Sequence, residues 1–317
     1  MSLGSVAPLP SDLHRYVGKT DLGEVLVDGL VAKADDTHVV TARWPGVHRF
    51  YTPDPDMYSP HILTESIRQS LALLSRTAFD IPASSRMGWE AFELSVVPGS
   101  LRTEAQDARV RLAITHSGVT RRKLGSVRLS ASVEATRGEL RLGSAQVTYS
   151  AHPPAIYDRL RGPYADPHAA MSRLLPPPPP VAAAPTGCRR PQDVVLAAAE
   201  TPRTWLLRTD TGHPVLFDHP HDHVPGMVLL EACGQAARAT VHPSPALPTG
   251  FSVRFLRYVE FDQPCRIVAT SREASACGRH TVEVVGVQND RTVFTSSVMT
   301  QPFPTRLRPE PAPAQLH

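Results

Sequence analysis

The same sequence pattern occurs twice along this chain of 317 residues. In each copy a histidine precedes a short segment, a proline, a helix-forming run, and a glutamate that lies four residues before a glutamine. The first copy places Glu65 and Gln69 at these positions, and the second places Glu231 and Gln235 there. A repeat of this length predicts a duplicated domain rather than a solenoid of short units.

Each copy contains one helix-forming run that is followed only by strand-like runs. Leu63, Ile67, Leu71 and Leu74 recur at helical spacing. The second helix, 226–241, is apolar or small almost all round, so it should be enclosed by a sheet. One enclosed helix followed by antiparallel strands is an α+β arrangement. We therefore predict a tandem double hot-dog, in which each half is a central helix wrapped by a curled antiparallel sheet. The two sheets should join edge to edge, which hides strand edges.

Composition shifts divide the chain into five segments. We predict an N-terminal arm (1–24), a first hot-dog domain (25–165), a proline-rich linker (166–192), a second hot-dog domain (193–303) and a proline-rich tail (304–317). Within the linker, the five prolines 176–180 favour an extended polyproline spacer over packed structure. The two halves should therefore flank a stiff connection.

Charge and cysteine content exclude several classes of function. The formal net charge is +3, and the arginine runs are too short for a nucleic-acid surface. Cys188, Cys233, Cys265 and Cys277 form no CxxC pair and should be free thiols in a reducing compartment. The chain starts without a charged leader or an apolar stretch, and no run approaches the ~20 apolar residues of a membrane span. We expect a cytoplasmic protein that binds neither nucleic acid nor membrane.

Glu231 is the only acidic residue in the apolar helix 226–241. A buried carboxylate needs a partner or a proton, so Glu231 is either a hydrogen-bonded structural group or a catalytic one. Gln235 lies one turn further on the same face and could orient it. The amides of Gly226 and Met227 at the helix N-terminus could hold a developing oxyanion, although ordinary helix capping would also leave them there.

Three histidines alternate just before this helix: His219, His221 and His223, with Asp222 between the last two. An intervening proline and the lack of a distant fourth ligand argue against a zinc site, so we predict no metal and no cofactor. Histidine titrates near neutral pH, which suits a general base or a donor that orients a thioester. His219 is the candidate for this role, and His221 fits a loop position without function.

The second-half pattern resembles two hot-dog families. Its histidine, Pro-Gly, glutamate and glutamine resemble β-hydroxyacyl-carrier-protein dehydratases, although His219 lies two residues closer to Pro-Gly than theirs. A fuller resemblance is to the A-factor biosynthesis family, the AfsA-type γ-butyrolactone synthases. It rests on LFDHPHDHVPGMVLLE at 216–231 and on ESIRQ at 65–69 after Phe50-Tyr51. The resemblance therefore covers both halves.

This resemblance implies acyl transfer. A β-ketoacyl group would leave the thioester of an acyl carrier protein and esterify a hydroxyl of dihydroxyacetone phosphate, and the ester would condense towards a butenolide precursor of γ-butyrolactone or furan signals. The chain would act as a monomer or homodimer. The implied residues are Glu231, His219 and Glu65 for catalysis, the Gly226 and Met227 amides for the oxyanion or thioester, and Arg68, Gln69, Gln235, Asp222, His223 and Arg238 for substrate binding.

The chain departs from the family pattern at two places. Gly234 stands where the family tends to carry arginine, so Arg68 or Arg238 would have to hold the phosphate. The first half has Ser59-Pro-His61 where the family usually has Asp-Pro. Two alternatives remain open: a hot-dog dehydratase or thioesterase that acts on acyl-carrier-protein or acyl-CoA substrates, and a non-catalytic acyl-binding protein.

Overall fold

The structure, a computed structural model, describes residues 6–7, 9–32, 37–272 and 278–303. The predicted tail 304–317 and Cys277 lie outside the described residues. The first half contains β1 (Val6–Ala7), α1 (Leu13–Tyr16), β2 (Val27–Ala32), β3 (Thr37–Trp44), α2 (Pro60–Thr77), β4 (Arg86–Val96), β5 (Ala108–Arg121), β6 (Val127–Arg137), β7 (Leu140–His152), α3 (Pro154–Arg161) and α4 (Pro167–Met171).

The second half repeats the order of two strands, one long helix and four strands, and a short helix precedes its first strand. Its elements are α5 (Ala183–Thr186), β8 (Leu196–Ala198), β9 (Thr204–Leu207), α6 (Gly226–Val241), β10 (Ala246–Phe255), β11 (Cys265–Ser271), β12 (His280–Gln288) and β13 (Arg291–Pro302). Short 3₁₀ helices at Leu22–Glu24 and Pro191–Asp193 precede β2 and β8, and another lies at Gly162–Tyr164. Each half therefore has one long helix followed by four antiparallel strands, as the sequence predicts.

One antiparallel sheet of thirteen strands runs through both halves of the described chain. Its order is β1-β2-β3-β5-β6-β7-β4-β10-β13-β12-β11-β9-β8. Apart from β1, the order of the second half mirrors that of the first. The halves meet where β4 pairs with β10, with Phe92 opposite Val253. Antiparallel pairing of equivalent strands is what a pseudo-twofold axis requires. The double hot-dog and the continuous sheet are thus confirmed.

Helix α2 is buried on nearly every side despite its many polar residues. It begins after Ser59, whose side chain accepts the His61 amide, and proline occupies its first position. Its predicted apolar stripe is fully buried. The hydroxyls of Ser66 and Ser70 donate to carbonyls one turn earlier, and Ser66 Oγ also accepts a hydrogen bond from Trp44 Nε1. The helix can therefore lie inside the sheet and still carry polar side chains.

The proline-rich linker is packed, and the predicted free spacer is wrong. The amide of Val181 donates to the Leu196 carbonyl, and Arg208 Nε donates to the Pro178 carbonyl. Helix α5 packs against α6, with Thr186 buried between them. Proline lacks only the donor, so its carbonyls remain acceptors for neighbouring groups. The linker therefore forms part of the second half's surface.

The predicted N-terminal arm is also integrated into the fold. Helix α1 packs on α2, and the amide of Asp21 donates to Asp218 Oδ1, just before the histidine-rich loop. Lys19 is buried. The arm thus connects the first-half helix to the loop that precedes the second. No helix within the described residues combines the length and apolar character that a bilayer span requires.

Candidate functional site

A glutamine orients the repeated glutamate in the first half. Gln69 Nε2 donates to Glu65 Oε1 at 2.9 Å and to the Glu24 carbonyl at 2.7 Å, and its Oε1 accepts from the Leu26 amide at 2.8 Å. All three bonds are buried. The carboxamide is thus fixed by backbone groups, and its remaining donor points at the carboxylate.

The second half repeats this arrangement atom for atom. Gln235 Nε2 donates to Glu231 Oε1 at 2.8 Å and to the Asp193 carbonyl at 2.8 Å, and its Oε1 accepts from the Val195 amide at 2.9 Å. The two glutamates therefore occupy equivalent positions, as the repeat predicts. Gln69 and Gln235 orient these carboxylates. The Nε2 and Oε1 atoms of both glutamines are already hydrogen-bonded within the protein.

The leading histidine of each copy serves the fold. His48 Nδ1 accepts two backbone amides, and its Nε2 lies 3.3 Å from Glu24. His213 Nδ1 does the same in the second half, with Nε2 3.3 Å from Asp193. These four residues hold the turn that leads towards each helix. Their repetition reflects the duplicated fold and not a repeated reaction centre.

Glu65 is saturated by cations. Arg68 binds it through two hydrogen bonds of 2.7 and 2.8 Å, and Lys19 Nζ lies 3.3 Å away. Burial acts to raise the pKa of Glu65, but Arg68, Lys19 and the Gln69 hydrogen bond outweigh it and lower the pKa to about 2. Such a carboxylate is a weak base with no free oxygen. We therefore no longer assign Glu65 to proton transfer; it anchors Lys19 and Arg68.

Glu231 has a different environment. The position three residues further on, occupied by Arg68 in the first half, is Gly234 in the second. Gln235 binds one oxygen, and the other lies 3.5 Å from His61 Nε2. The Glu231 side chain is 13% exposed, against 2% for Glu65. The duplicated scaffold therefore carries one carboxylate that two cations bind and one with an oxygen that makes no hydrogen bond found among the described residues.

His61 is a site residue that the sequence interpretation missed. In the sequence, His61 stands out only because Ser59-Pro-His61 departs from the family pattern. The ring is buried, packs 5.1 Å from the Phe251 ring, and directs Nε2 to Glu231 across the interface between the halves. Nδ1 has no hydrogen-bond partner among the described residues. The available signal was its place one turn before Glu65, because pseudo-twofold packing brings each helix start towards the other helix's glutamate.

Tyr51 is a second residue without a predicted role. The ring is 1% exposed, and its hydroxyl takes part in none of the hydrogen bonds found in the described part of the chain. Burial raises the pKa of Tyr51 well above its usual value, and the charges of Glu65, Glu24 and Glu231 raise it further. The phenol therefore stays protonated and lies within the field of both repeated carboxylates.

The start of α6 leaves two amides open. Proline precedes Gly226, no side chain caps the helix, and the amides of Gly226 and Met227 donate to no acceptor among the described residues. Free amides at a helix start can stabilise an oxyanion. Met227 precedes Glu231 by one turn, as His61 precedes Glu65.

The histidine-rich loop that precedes α6 lies near Arg68 of α2. The rings of His219 and His221 are 4.2 Å apart. Burial lowers the pKa of both, and the positive charge of Arg68 lowers them further; the pKa of His221 falls to about 3. Both rings are therefore neutral at neutral pH. His219 is the more exposed of the pair and lies 3.7 Å from Asp218, so it remains a candidate base or donor.

Asp222 and His223 belong to a structural cluster. Asp222 accepts from Tyr157, from Arg161 Nε at 2.9 Å and from His223 Nδ1 at 2.9 Å. Arg161 also binds both oxygens of Glu260. These bonds tie the loop before α6 to α3 of the first half. Both oxygens of Asp222 accept hydrogen bonds from protein groups, so Asp222 and His223 position the loop, and the predicted substrate contact of Asp222 stays a prediction.

Arg238 lies between α6 and the linker. Its Nη1 donates to the Gly187 carbonyl at 3.3 Å, while its Nε is buried without a partner among the described residues. Gly187 has φ +75°, and a Cβ there would lie 2.3 Å from Nη1, so only glycine leaves room for this guanidinium. Arg238, Cys188 and Met57 line a cavity of about 390 Å³. Arg238 therefore presents an incompletely satisfied cation to this cavity.

Comparisons with known proteins agree with this architecture. The family model of the A-factor biosynthesis hotdog domain (AfsA) matches residues 7–153 and 169–304. The chain belongs to the AfsA family. Two relatives carry the name 2-oxo-3-(phosphooxy)propyl 3-oxoalkanoate synthase. The one from Streptomyces virginiae is 36% identical over 91% of this chain and 97% of its own. The one from Streptomyces coelicolor is 34% identical over 93% and 92%.

Among solved structures, the AfsA-family chain is similar to a putative oleoyl thioesterase from Lactobacillus plantarum. The TM-score is 0.54 with 11% identity, and the match covers 86% of this chain and 98% of the other. At this identity the likeness shows the hot-dog fold alone. The family resemblance predicted from both motifs is thus confirmed over nearly the whole chain.

Proposed function

We propose that this AfsA-family chain is an acyltransferase that moves a β-ketoacyl group from a carrier-protein thioester to a hydroxyl of dihydroxyacetone phosphate. The relatives' name describes a 3-oxoalkanoate ester of a phosphorylated three-carbon ketone, which is the product of this transfer. The observation that carries the proposal is Glu231, a carboxylate that Gln235 orients and whose second oxygen makes no hydrogen bond found among the described residues. The product would lead to a butenolide and then to γ-butyrolactone-type signals.

The transfer requires one proton acceptor and one oxyanion site. Glu231 takes the proton from the acceptor hydroxyl as that oxygen attacks the thioester carbonyl. The amides of Gly226 and Met227 stabilise the resulting oxyanion. The tetrahedral intermediate then collapses, the carbon–sulfur bond breaks, and the thiolate receives the proton. Neutral His219 supplies a further donor or acceptor beside the α6 start.

A phosphate needs a cation that the protein has not already neutralised. Arg68 uses part of its hydrogen-bonding capacity inside the protein: Nε and Nη2 donate to Glu65, and Nη2 also donates to the Val17 carbonyl. Its Nη1 makes none of the hydrogen bonds found among the described residues. Arg238 lines a cavity large enough for a small phosphate ester, and its buried Nε has no hydrogen-bond partner among the described residues. We propose Arg238 as the principal phosphate contact, with Arg68 as the second candidate.

The acyl donor in this proposal is an acyl carrier protein in the cytoplasm. Its thioester arm must reach the open amides at the start of α6, next to the loop held by the Asp222 cluster. Fixing that loop through Arg161 keeps the amides in place while a flexible arm enters.

A direct assay tests the function. Purified protein is mixed with a β-ketoacyl carrier protein, with and without dihydroxyacetone phosphate, and the products are identified by mass spectrometry. A phosphorylated β-ketoacyl ester that forms only with both substrates supports the proposal. Release of free acid or an enoyl product would replace it with the thioesterase or dehydratase hypothesis, and loss of neither substrate would favour an acyl-binding protein.

Replacing Arg238 should separate the two substrates. We expect Arg238→Ala to raise the KM for dihydroxyacetone phosphate about ten-fold or more, because a charge-assisted contact is lost, and to change the KM for the acyl carrier far less. Steady-state kinetics with each substrate varied in turn measures both constants. Arg141→Ala, which removes a surface arginine paired only with Glu134, is the matched control. An equal rise in both constants would remove Arg238 from phosphate binding.

A further inference from the structure

Among the described lysine, arginine and histidine side chains, only His61 forms an ion-pair contact with Glu231, at 3.5 Å. We propose that His61 is a positioning residue that controls the acid–base behaviour of Glu231, so the working carboxylate is completed only when the two halves pack together. This inference rests on the proposed role of Glu231 and adds a residue from the opposite half.

The geometry places the imidazole where it can donate to the carboxylate. His61 Nε2 lies 3.5 Å from Glu231 Oε2, which is longer than an ordinary N–H···O hydrogen bond, while Gln235 already binds Oε1. The backbone carbonyl of Leu230 is a second acceptor for the same ring. Burial lowers the pKa of His61, and the Arg238 charge lowers it further, so the ring is neutral at neutral pH. A neutral imidazole carries one N–H. The adjacent carboxylate favours the tautomer with that proton on Nε2, which leaves Nδ1 as the buried unpaired acceptor.

Gly234 makes this arrangement fit. A Cβ built at Gly234 would lie 3.5 Å from His61 Nε2 and 3.7 Å from the Phe251 ring. Both distances are ordinary van der Waals contacts, so a longer side chain at this position would compete with the imidazole for the space beside Glu231. The equivalent residue of the first half, Arg68, shows the alternative: it folds back on Glu65 and closes that carboxylate. Glycine at position 234 therefore leaves the space in which His61 meets Glu231.

Three other charged or titratable groups of the described chain influence this pair or are influenced by it: Arg238, Cys188 and Tyr51. His61 is faced by Glu231 and Arg238 of α6, and Glu231 also influences Cys188 of the linker and Tyr51 before α2. The pKa of Cys188 is raised to about 12 by burial and that of Tyr51 is raised well above its usual value. Both are neutral at neutral pH and therefore add no charge beside Glu231 and His61.

Kinetics gives the first test. A donor to a carboxylate lowers the carboxylate's pKa, so its removal raises that pKa. In His61→Leu the rise of kcat/KM with pH should therefore move to higher pH, by about one unit, because Glu231 must lose its proton to act as a base. His61→Gln keeps an N–H near the position of Nε2 and should restore the wild-type profile. An unchanged profile in a folded His61→Leu protein, or a shift that His61→Gln shares, would overturn the inference.

A second measurement needs no turnover. The pKa of the His61 ring is followed by two-dimensional NMR of ring nitrogens, with its signal assigned by absence in His61→Gln. Because the Glu231 charge raises the pKa of His61, Glu231→Gln should lower it, and no other histidine should move as far. An unchanged His61 pKa would refute the coupling even if acyl transfer is active. Coupling without any transfer activity would instead refute the proposed function and leave the pair in place.

Discussion

Glu231→Gln should lower turnover by roughly 100-fold or more and leave the fold intact. The amide is nearly isosteric with the carboxylate and can still bond to Gln235 and His61, but it cannot take a proton from the acceptor hydroxyl. Loss of a positioned general base costs about two to four powers of ten in rate. The KM for each substrate should change much less, because the lost interaction acts in the transition state. Rates of ester formation under saturating substrates measure this effect.

The matched control is Glu134→Gln, which removes a surface carboxylate paired with Arg141 and should leave the rate unchanged. Circular dichroism and urea unfolding establish that both variants are folded. A folded Glu231→Gln protein with the wild-type rate would exclude Glu231 from the reaction. His219 would then be the remaining candidate base, since it is neutral and more exposed than His221.

The helices, the strands that follow them and their duplication could be predicted because they depend on local pattern. Apolar spacing fixes the buried face of α2, and alternation marks the strands that wrap it. The pairing of Glu65 with Gln69 and of Glu231 with Gln235 could be predicted too, since residues four apart share a helix face. These features require no knowledge of which distant segments meet.

The division of roles between the two glutamates could not be predicted in this way. It depends on Lys19, which comes from the arm and closes Glu65, and on His61, which crosses from the other half to Glu231. Both contacts are set by tertiary packing. Composition also misled the linker prediction, because a proline run describes backbone stiffness and not the surface on which the run packs. The position of Arg238 follows from that packing through Gly187.

The same substitution in the first copy should have a different effect from that in the second. Glu65→Gln should destabilise the protein by about 3 kcal/mol, because it removes the carboxylate that the buried Lys19 and the partly buried Arg68 share. Glu231→Gln removes a carboxylate that touches no lysine or arginine within ion-pair distance among the described residues, so its unfolding midpoint should stay close to that of the wild type. Urea unfolding of the three proteins at neutral pH compares them directly.

Acid should reduce the difference between wild type and Glu65→Gln. The folded pKa of Glu65 is lowered to about 2, whereas its ordinary value is 4.5. A carboxyl group with a lowered folded pKa stabilises the protein above its unfolded pKa, and this stabilisation is lost as the pH falls towards the folded pKa. The wild-type advantage should therefore be complete at pH 7 and shrink between about pH 4.5 and pH 2. A Glu65→Gln protein as stable as Glu231→Gln at pH 7 would show that Glu65 is not the counter-ion of Lys19 and Arg68, and would reopen its assignment as a reactive carboxylate.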